Sequence, residues 1–192
     1  MNLLTQLDIN ILNFIQNNLT SPFLDKIMTT VTSLGNMGII WIIMVIIFLS
    51  DEKYKKMAKT MIFCMLINAI LINIILKPLV NRTRPFDLVQ GIKLLVMKPT
   101  DPSFPSGHSA ISFCSLVVIL TMTKSRILKV FATILAILIS YSRLYLYVHY
   151  PSDVLMGIIL GSVISLVSMK VYFSKNYINF KNKLLNKINF KI

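Results

Sequence analysis

The chain has 192 residues, 55% of them hydrophobic and only 14% charged, with a formal net charge of +13. That length suits one domain and is short for two, and a typical soluble domain is roughly a quarter charged. With a mean hydropathy of +0.72 there is too little polar surface to coat a water-soluble globule, which argues against a cytosolic enzyme, a secreted disulfide scaffold or a disordered tail.

The bilayer is therefore the expected solvent, and the chain reads as an all-α integral membrane bundle forming a single domain over residues 1–192. Residues 1–20 carry Leu4, Leu7, Ile11, Phe14 and Ile15 among Asn, Gln, Thr and Asp, which predicts an amphipathic helix lying in the interface. No cation precedes Lys26, so the basic start of a signal peptide is missing. Residues 22–34, with Asp25, Lys26 and several Thr and Ser, predict a first, weak crossing, and Gly35 and Gly38 punctuate the turn that follows. Clear spans are predicted at about 36–50, 57–76, 105–123, 128–147 and 153–173, most near the ~20 residues that cross ~30 Å of hydrocarbon. Cys64 and Cys114 sit inside these apolar runs without paired spacing, so neither a disulfide nor a metal site is expected.

Thirteen of the twenty Lys and Arg fall in three clusters, at Lys53–Lys59, Lys124–Lys129 and Lys170–Lys191. Clusters flanking apolar spans read as cytoplasmic loops beside anionic lipid. Nucleic-acid binding is not expected, since no basic recognition helix or aromatic RNA-binding strand appears. Six crossings with both termini cytoplasmic follow, and residues 174–192 become a basic cytoplasmic tail.

The opposite side of the membrane collects Lys77, Arg82, Arg84-Pro85, Pro105-Ser106-Gly107-His108, Ser142-Arg143, His149 and Asp153. Each has a plain structural reading: interfacial anchors for the cations, a helix start for Pro105, a cap for Asp153, a buried histidine for His149. Their co-occurrence weakens those readings. The chain has only two His, both here, and three of its four Arg against sixteen Lys. Lys suffices for bulk charge, whereas Arg grips phosphate with a fixed fork. The set predicts a phosphate site at the membrane surface.

Lys77, six residues, Arg84-Pro85; then Pro105-Ser106-Gly107-His108; then Ser142-Arg143, five residues, His149, three residues, Asp153: this order resembles the three-part signature of the type 2 phosphatidic acid phosphatase (PAP2) superfamily of membrane lipid phosphatases. The resemblance implies a six-span bundle with its site at the outer membrane face and metal-independent, cofactor-free hydrolysis through a phosphohistidine. It implies that Lys77, Arg84 and Arg143 hold phosphate oxygens, assisted by Ser106 and the Gly107 amide. His149 is the implied nucleophile, Asp153 orients it, and His108 protonates the leaving oxygen.

Elementary chemistry agrees with those roles. A phosphate dianion needs cationic neutralisation, and Ser106 and Gly107 open a helix whose free N–H groups favour an anion. His149 and Asp153 stand four apart across a helix start, close enough for the carboxylate to fix the imidazole tautomer. The long loop from Phe86 to Phe104 is either a mobile functional element or a simple cover. The expected partners are a lipid phosphate substrate, such as undecaprenyl pyrophosphate, phosphatidylglycerol phosphate or phosphatidic acid, and the surrounding membrane lipids. The rival readings are a lipid phosphotransferase on the same site and a non-catalytic lipid transporter. An Ile-, Asn- and Lys-rich composition suggests an AT-rich bacterial genome, and with it a cell-membrane enzyme.

Overall fold

The computed structural model describes residues 3–175 and 177–180; of the predicted basic tail, residues 181–192 lie outside the described residues. The described elements are helical: α1 (Leu3–Asn18), α2 (Pro22–Gly35), α3 (Ile39–Leu49), α4 (Glu52–Ala69), a π-helical stretch (Ile70–Leu76), α5 (Lys77–Val80), α6 (Pro85–Leu88), α7 (Gly107–Met122), α8 (Arg126–Tyr145) and α9 (Pro151–Tyr172). Helix is what a bilayer demands, because every backbone N–H and C=O must find its partner within the segment.

α7 is the central column, packed on α9, α8 and α4. Its buried face, Cys114, Val118 and Ile119, joins Trp41, Met61, Cys64 and Ile139 in the main core. The indole Nε1 of Trp41 donates to Ser112 Oγ at 3.0 Å, which ties α3 to α7. Gly157 and Gly161 let α9 lie directly on α7: a Cβ at Gly161 would stand 2.1 Å from the Ala110 carbonyl oxygen. Small residues four apart are the usual means of such close helix approach in membranes. On α8 the row Ile127, Val130, Phe131, Ile134 and Ile137 is exposed; its spacing of three and four places it on one outward stripe.

Pro22–Leu49, Glu52–Leu88, Arg126–Tyr145 and Pro151–Tyr172 are each long and apolar enough to cross a membrane, and Gly107–Met122 is a shorter apolar helix. The predicted crossing at 22–34 and that at 36–50 are one path, bent at Met37 (φ 51°) and Gly38 (φ 72°). Ser21 N–H donates to the Tyr145 hydroxyl, which donates to Asp25 Oδ1 at 2.6 Å. The start of α2 thus lies beside the end of α8, at the same end of the bundle as Arg143 and His149. The polar residues of 22–34 serve this end of the protein.

α1 stays at that end as well. Ile9, Leu12 and Ile15 are buried, with Ile9 and Leu12 against Tyr147 and Tyr150 and Ile15 against Tyr145. Leu4, Leu7, Ile11 and Phe14 remain exposed. The helix has two apolar faces, one for the protein and one for lipid, which suits an interfacial position.

Candidate active site

The signature residues arrive from four places along the chain. Pro78 lacks an N–H and cannot continue the α4 ladder; just before it the helix widens to the π form, with the Lys77 N–H bonded to the Ile72 carbonyl. Such local widening is common at functional sites, and here it delivers a buried Lys77. Arg84 sits before Pro85 with extended backbone (φ −78°, ψ 154°), the conformation a following proline favours. Arg143 occupies the last turn of α8. The chain then folds back, through Tyr147 at φ 59°, so that the N–H groups of Val148 and His149 meet the Arg143 carbonyl.

The imidazole of His149 is 1% exposed. Its Nδ1 lies 3.5 Å from Asp153 Oδ2 and 3.4 Å from Ser103 Oγ. Ser103 donates its own hydrogen to Asp153 Oδ2 at 2.5 Å, so its lone pairs face the imidazole. The arrangement favours a proton on Nδ1 and a lone pair on Nε2, which is 3.3 Å from Arg84 Nη1. Burial, reinforced by Arg84, Arg143 and Lys77, pushes the His149 pKa well below its ordinary value, so the ring is neutral at physiological pH, as a nucleophile must be. Asp153 also accepts the Tyr150 N–H at 3.0 Å.

Lys77, Arg84, Arg143, His108 and His149 line one cavity of about 560 Å³. Arg143 donates from Nη1 to Thr32 Oγ1 at 2.5 Å, while its Nε has no partner among the described residues, leaving a donor for an entering oxygen. Opposite these cations stands a residue the motifs do not contain, Asp101. It pairs with Lys77 Nζ and with Arg84 Nη2 at 2.8 Å, and its backbone carbonyl accepts from Arg84 Nε at 2.8 Å. Burial pushes the Asp101 carboxyl up, but the two cations outweigh it and hold it at about 2. Three cations against this one carboxylate leave a surplus of two positive charges, which matches a phosphate dianion.

The remaining predicted residues are placed less uniformly. His108 lines the cavity with Nε2 3.0 Å from Asn36 Oδ1. Gly107 borders an adjoining cavity of about 370 Å³ with Lys77 and Asp101, and a Cβ there would meet Asn73 Oδ1 at 3.1 Å. Ser106 is fully buried and turned inward: its Oγ caps α7 by accepting from Ser109 N–H and Ser109 Oγ. The residues the sequence patterns passed over are Asp101, Ser103, Thr32 and Asn36. Asp101 and Ser103 lie within six residues ahead of Gly107, and their acid and hydroxyl next to the Pro-Ser-Gly-His turn were the signal available.

The loop 86–104 covers the cavity with Val96, Met97 and Lys98. Beyond the second cavity an apolar groove of about 410 Å³ runs between α3 and α4, sharing Met37, Ala69 and Ile111 with it. A polar, cationic chamber thus opens toward a strip of hydrocarbon-facing surface.

Known proteins share both sequence and shape. An undecaprenyl-diphosphatase of Sulfolobus acidocaldarius is 36% identical over 69% of this chain, and the match spans 63% of that relative's length. A phosphatidylglycerophosphatase B of Bacillus subtilis is 30% identical over 73% of this chain and 71% of its own. The crystal structure of Aquifex aeolicus LpxE superposes with a TM-score of 0.74 at 30% identity, covering 85% of this chain and 95% of that one. That of a transmembrane PAP2 type phosphatidylglycerolphosphate phosphatase from Bacillus subtilis gives 0.73 at 25% identity, covering 91% and 90%. The PAP2 superfamily model matches residues 58–177, a stretch that holds the whole cavity wall except α2 and the turn after it, and the chain belongs to that superfamily.

Proposed function

We propose that the protein is a membrane lipid phosphatase that hydrolyses a phosphate or pyrophosphate at the bilayer surface through a phosphohistidine on His149. The observation that carries the reading is the meeting, in one cavity, of an oriented neutral imidazole with Lys77, Arg84 and Arg143. His149 Nε2 attacks phosphorus as the bond to the leaving oxygen breaks, and His108 gives that oxygen a proton. Water then attacks the phosphohistidine, His108 takes its proton, and phosphate leaves as the N–P bond breaks. Lys77, Arg84 and Arg143 neutralise the phosphoryl oxygens throughout, with the start of α7 at Gly107 contributing its positive dipole end. The adjoining apolar groove suits a lipid tail; the names of the relatives point to undecaprenyl pyrophosphate and phosphatidylglycerol phosphate, and the family resemblance adds phosphatidic acid, as the three substrates to try first.

The site belongs on the outer face of the cell membrane. Among the described residues the end away from the site carries Lys53, Lys55, Lys56, Lys59, Lys124, Arg126, Lys129, Lys170 and Lys175, and such positive loops stay in the cytoplasm. The test is phosphate release from those three lipids by purified protein in detergent with excess EDTA. Turnover by the parent and none by His149→Ala is the expected result. Loss of all activity in EDTA, restored by magnesium, would overturn the assignment of charge neutralisation to the three cations. Transfer of phosphate to a second lipid without release would favour a phosphotransferase.

A further inference from the structure

Behind the catalytic pair lies a second polar layer that the signature does not contain. Arg82 is held between two carboxylates: Nη1 donates to Asp153 Oδ1 at 2.5 Å, and Nη2 donates to Asp8 Oδ2 at 2.9 Å. Arg82 Nη1 also reaches Ser152 Oγ at 2.7 Å, and its guanidinium lies 3.9 Å from the centre of the Tyr150 ring. Asp8 belongs to α1, some seventy residues before Arg82, and is 3% exposed. Its other bonds run to the same place: Oδ1 accepts the Ser152 N–H at 3.0 Å and Oδ2 the Ser152 hydroxyl at 2.5 Å. A buried carboxylate on an otherwise apolar helix face is costly unless it is paired, and every contact it makes is with the turn that opens α9 or with Arg82.

We propose that Arg82 and Asp8 are positioning residues for the reaction, through which helix α1 fixes the Asp153 carboxylate and thereby the His149 ring. The two oxygens of Asp153 have different tasks. Oδ2 serves Ser103, the Tyr150 N–H and the imidazole. Oδ1 is taken by Arg82. Without that anchor the carboxylate can rotate, and the 3.5 Å contact to Nδ1, the longest of the set, is the first to be lost. Arg82 is suited to the task because its rigid fork gives each acid its own nitrogen, where a lysine offers one nitrogen on a flexible stem. Asp8 keeps the fork in place and ties it to α1. Neither residue lines the cavity of the phosphate-binding cations, so their effect falls on the chemical step rather than on phosphate binding.

The inference rests on His149 as nucleophile, and the experiment separates the two. Purified Arg82→Gln, Arg82→Lys, Asp8→Asn and His149→Ala are compared for turnover of p-nitrophenyl phosphate and phosphatidic acid and for inhibition by orthovanadate. Arg82→Gln should lower kcat by roughly 10- to 100-fold, the range carried by partners behind a metal-ligating histidine. Its vanadate inhibition constant should stay within about twofold of the parent, since the cations that hold the anion are untouched. Arg82→Lys should recover part of kcat, and Asp8→Asn should lower it in the same direction but less. Unchanged kcat in Arg82→Gln beside an inactive His149→Ala would overturn this inference alone. Parallel loss of kcat and vanadate binding would also overturn it, as would full kcat in Asp8→Asn should Arg82→Gln not fold. Turnover by His149→Ala would overturn the nucleophile assignment on which it rests.

Discussion

At the scale of single residues, the site is a balance of charges in which Asp101 takes the place of a ligand. Its carboxylate engages two of the three cations proposed to hold the phosphate. Because its proton affinity is depressed, its ion pairs are complete above the ordinary carboxylate range and are lost only as pH falls toward about 2. Across neutral pH it is therefore a permanent anion, and its half-exposed position makes its contribution to folding small. Replacing it with the neutral Asn removes an anion from the cradle. Asp101→Asn should bind orthovanadate about 3- to 10-fold more tightly, as expected for deleting one nearby like charge at an intermediate dielectric; inhibition assays check this, and weaker inhibition would show that Asp101 instead organises Lys77 and Arg84. Sequence spacing picked out Lys77, Arg84, Arg143, His149 and Asp153 because each falls in a short fixed pattern. Asp101 left only the faint signal of an acid just ahead of the Pro-Ser-Gly-His turn and Asp8 left none, because their roles depend on which loop and which helix fold over the site, and no fixed spacing records that.

At the scale of elements, two helix contacts set where the chemistry sits. The α7–α9 seam depends on Gly157 and Gly161, with backbone rather than flexible side chain on the other side. Gly161→Ala should therefore force the helices apart and lower stability by roughly 1–3 kcal/mol, the cost typical of overpacking, read as a fall in melting temperature in detergent. Gly91→Ala, where nothing lies within 4 Å but φ is +83°, should cost less, since only backbone strain is added. The clear spans were readable from apolar runs of sufficient length. The bend at Met37 and Gly38 was not: Gly35 and Gly38 mark a break in the pattern, but whether a break reverses the chain or merely tilts it is decided by partners far away in sequence, such as Tyr145 beside Ser21 and Ser112 beside Trp41.

At the scale of the whole molecule, the bundle is polarised. One end gathers Lys77, Arg82, Arg84 and Arg143 into bonds with acids, hydroxyls and backbone oxygens, and the other carries solvated lysines. The order of the helices places the start of α2 and the end of α9 at opposite ends. In a chain with Cys64 and Cys114 replaced, a cysteine at Gly91 should react in intact cells with an impermeant thiol reagent, and one at Ser125 should not. A cysteine at Asn17, in α1, should behave like Gly91; protection of Asn17 alone would put a crossing between α1 and α2. The bent path of α2 and α3 has a further use for the experimenter. Trp41, the only tryptophan in the chain, is fully buried where α3 meets α7, with its N–H on Ser112. Red-edge excitation of the native protein should thus give a single blue-shifted emission that aqueous iodide scarcely quenches, an optical report, needing no label, on whether α3 stays packed against α7.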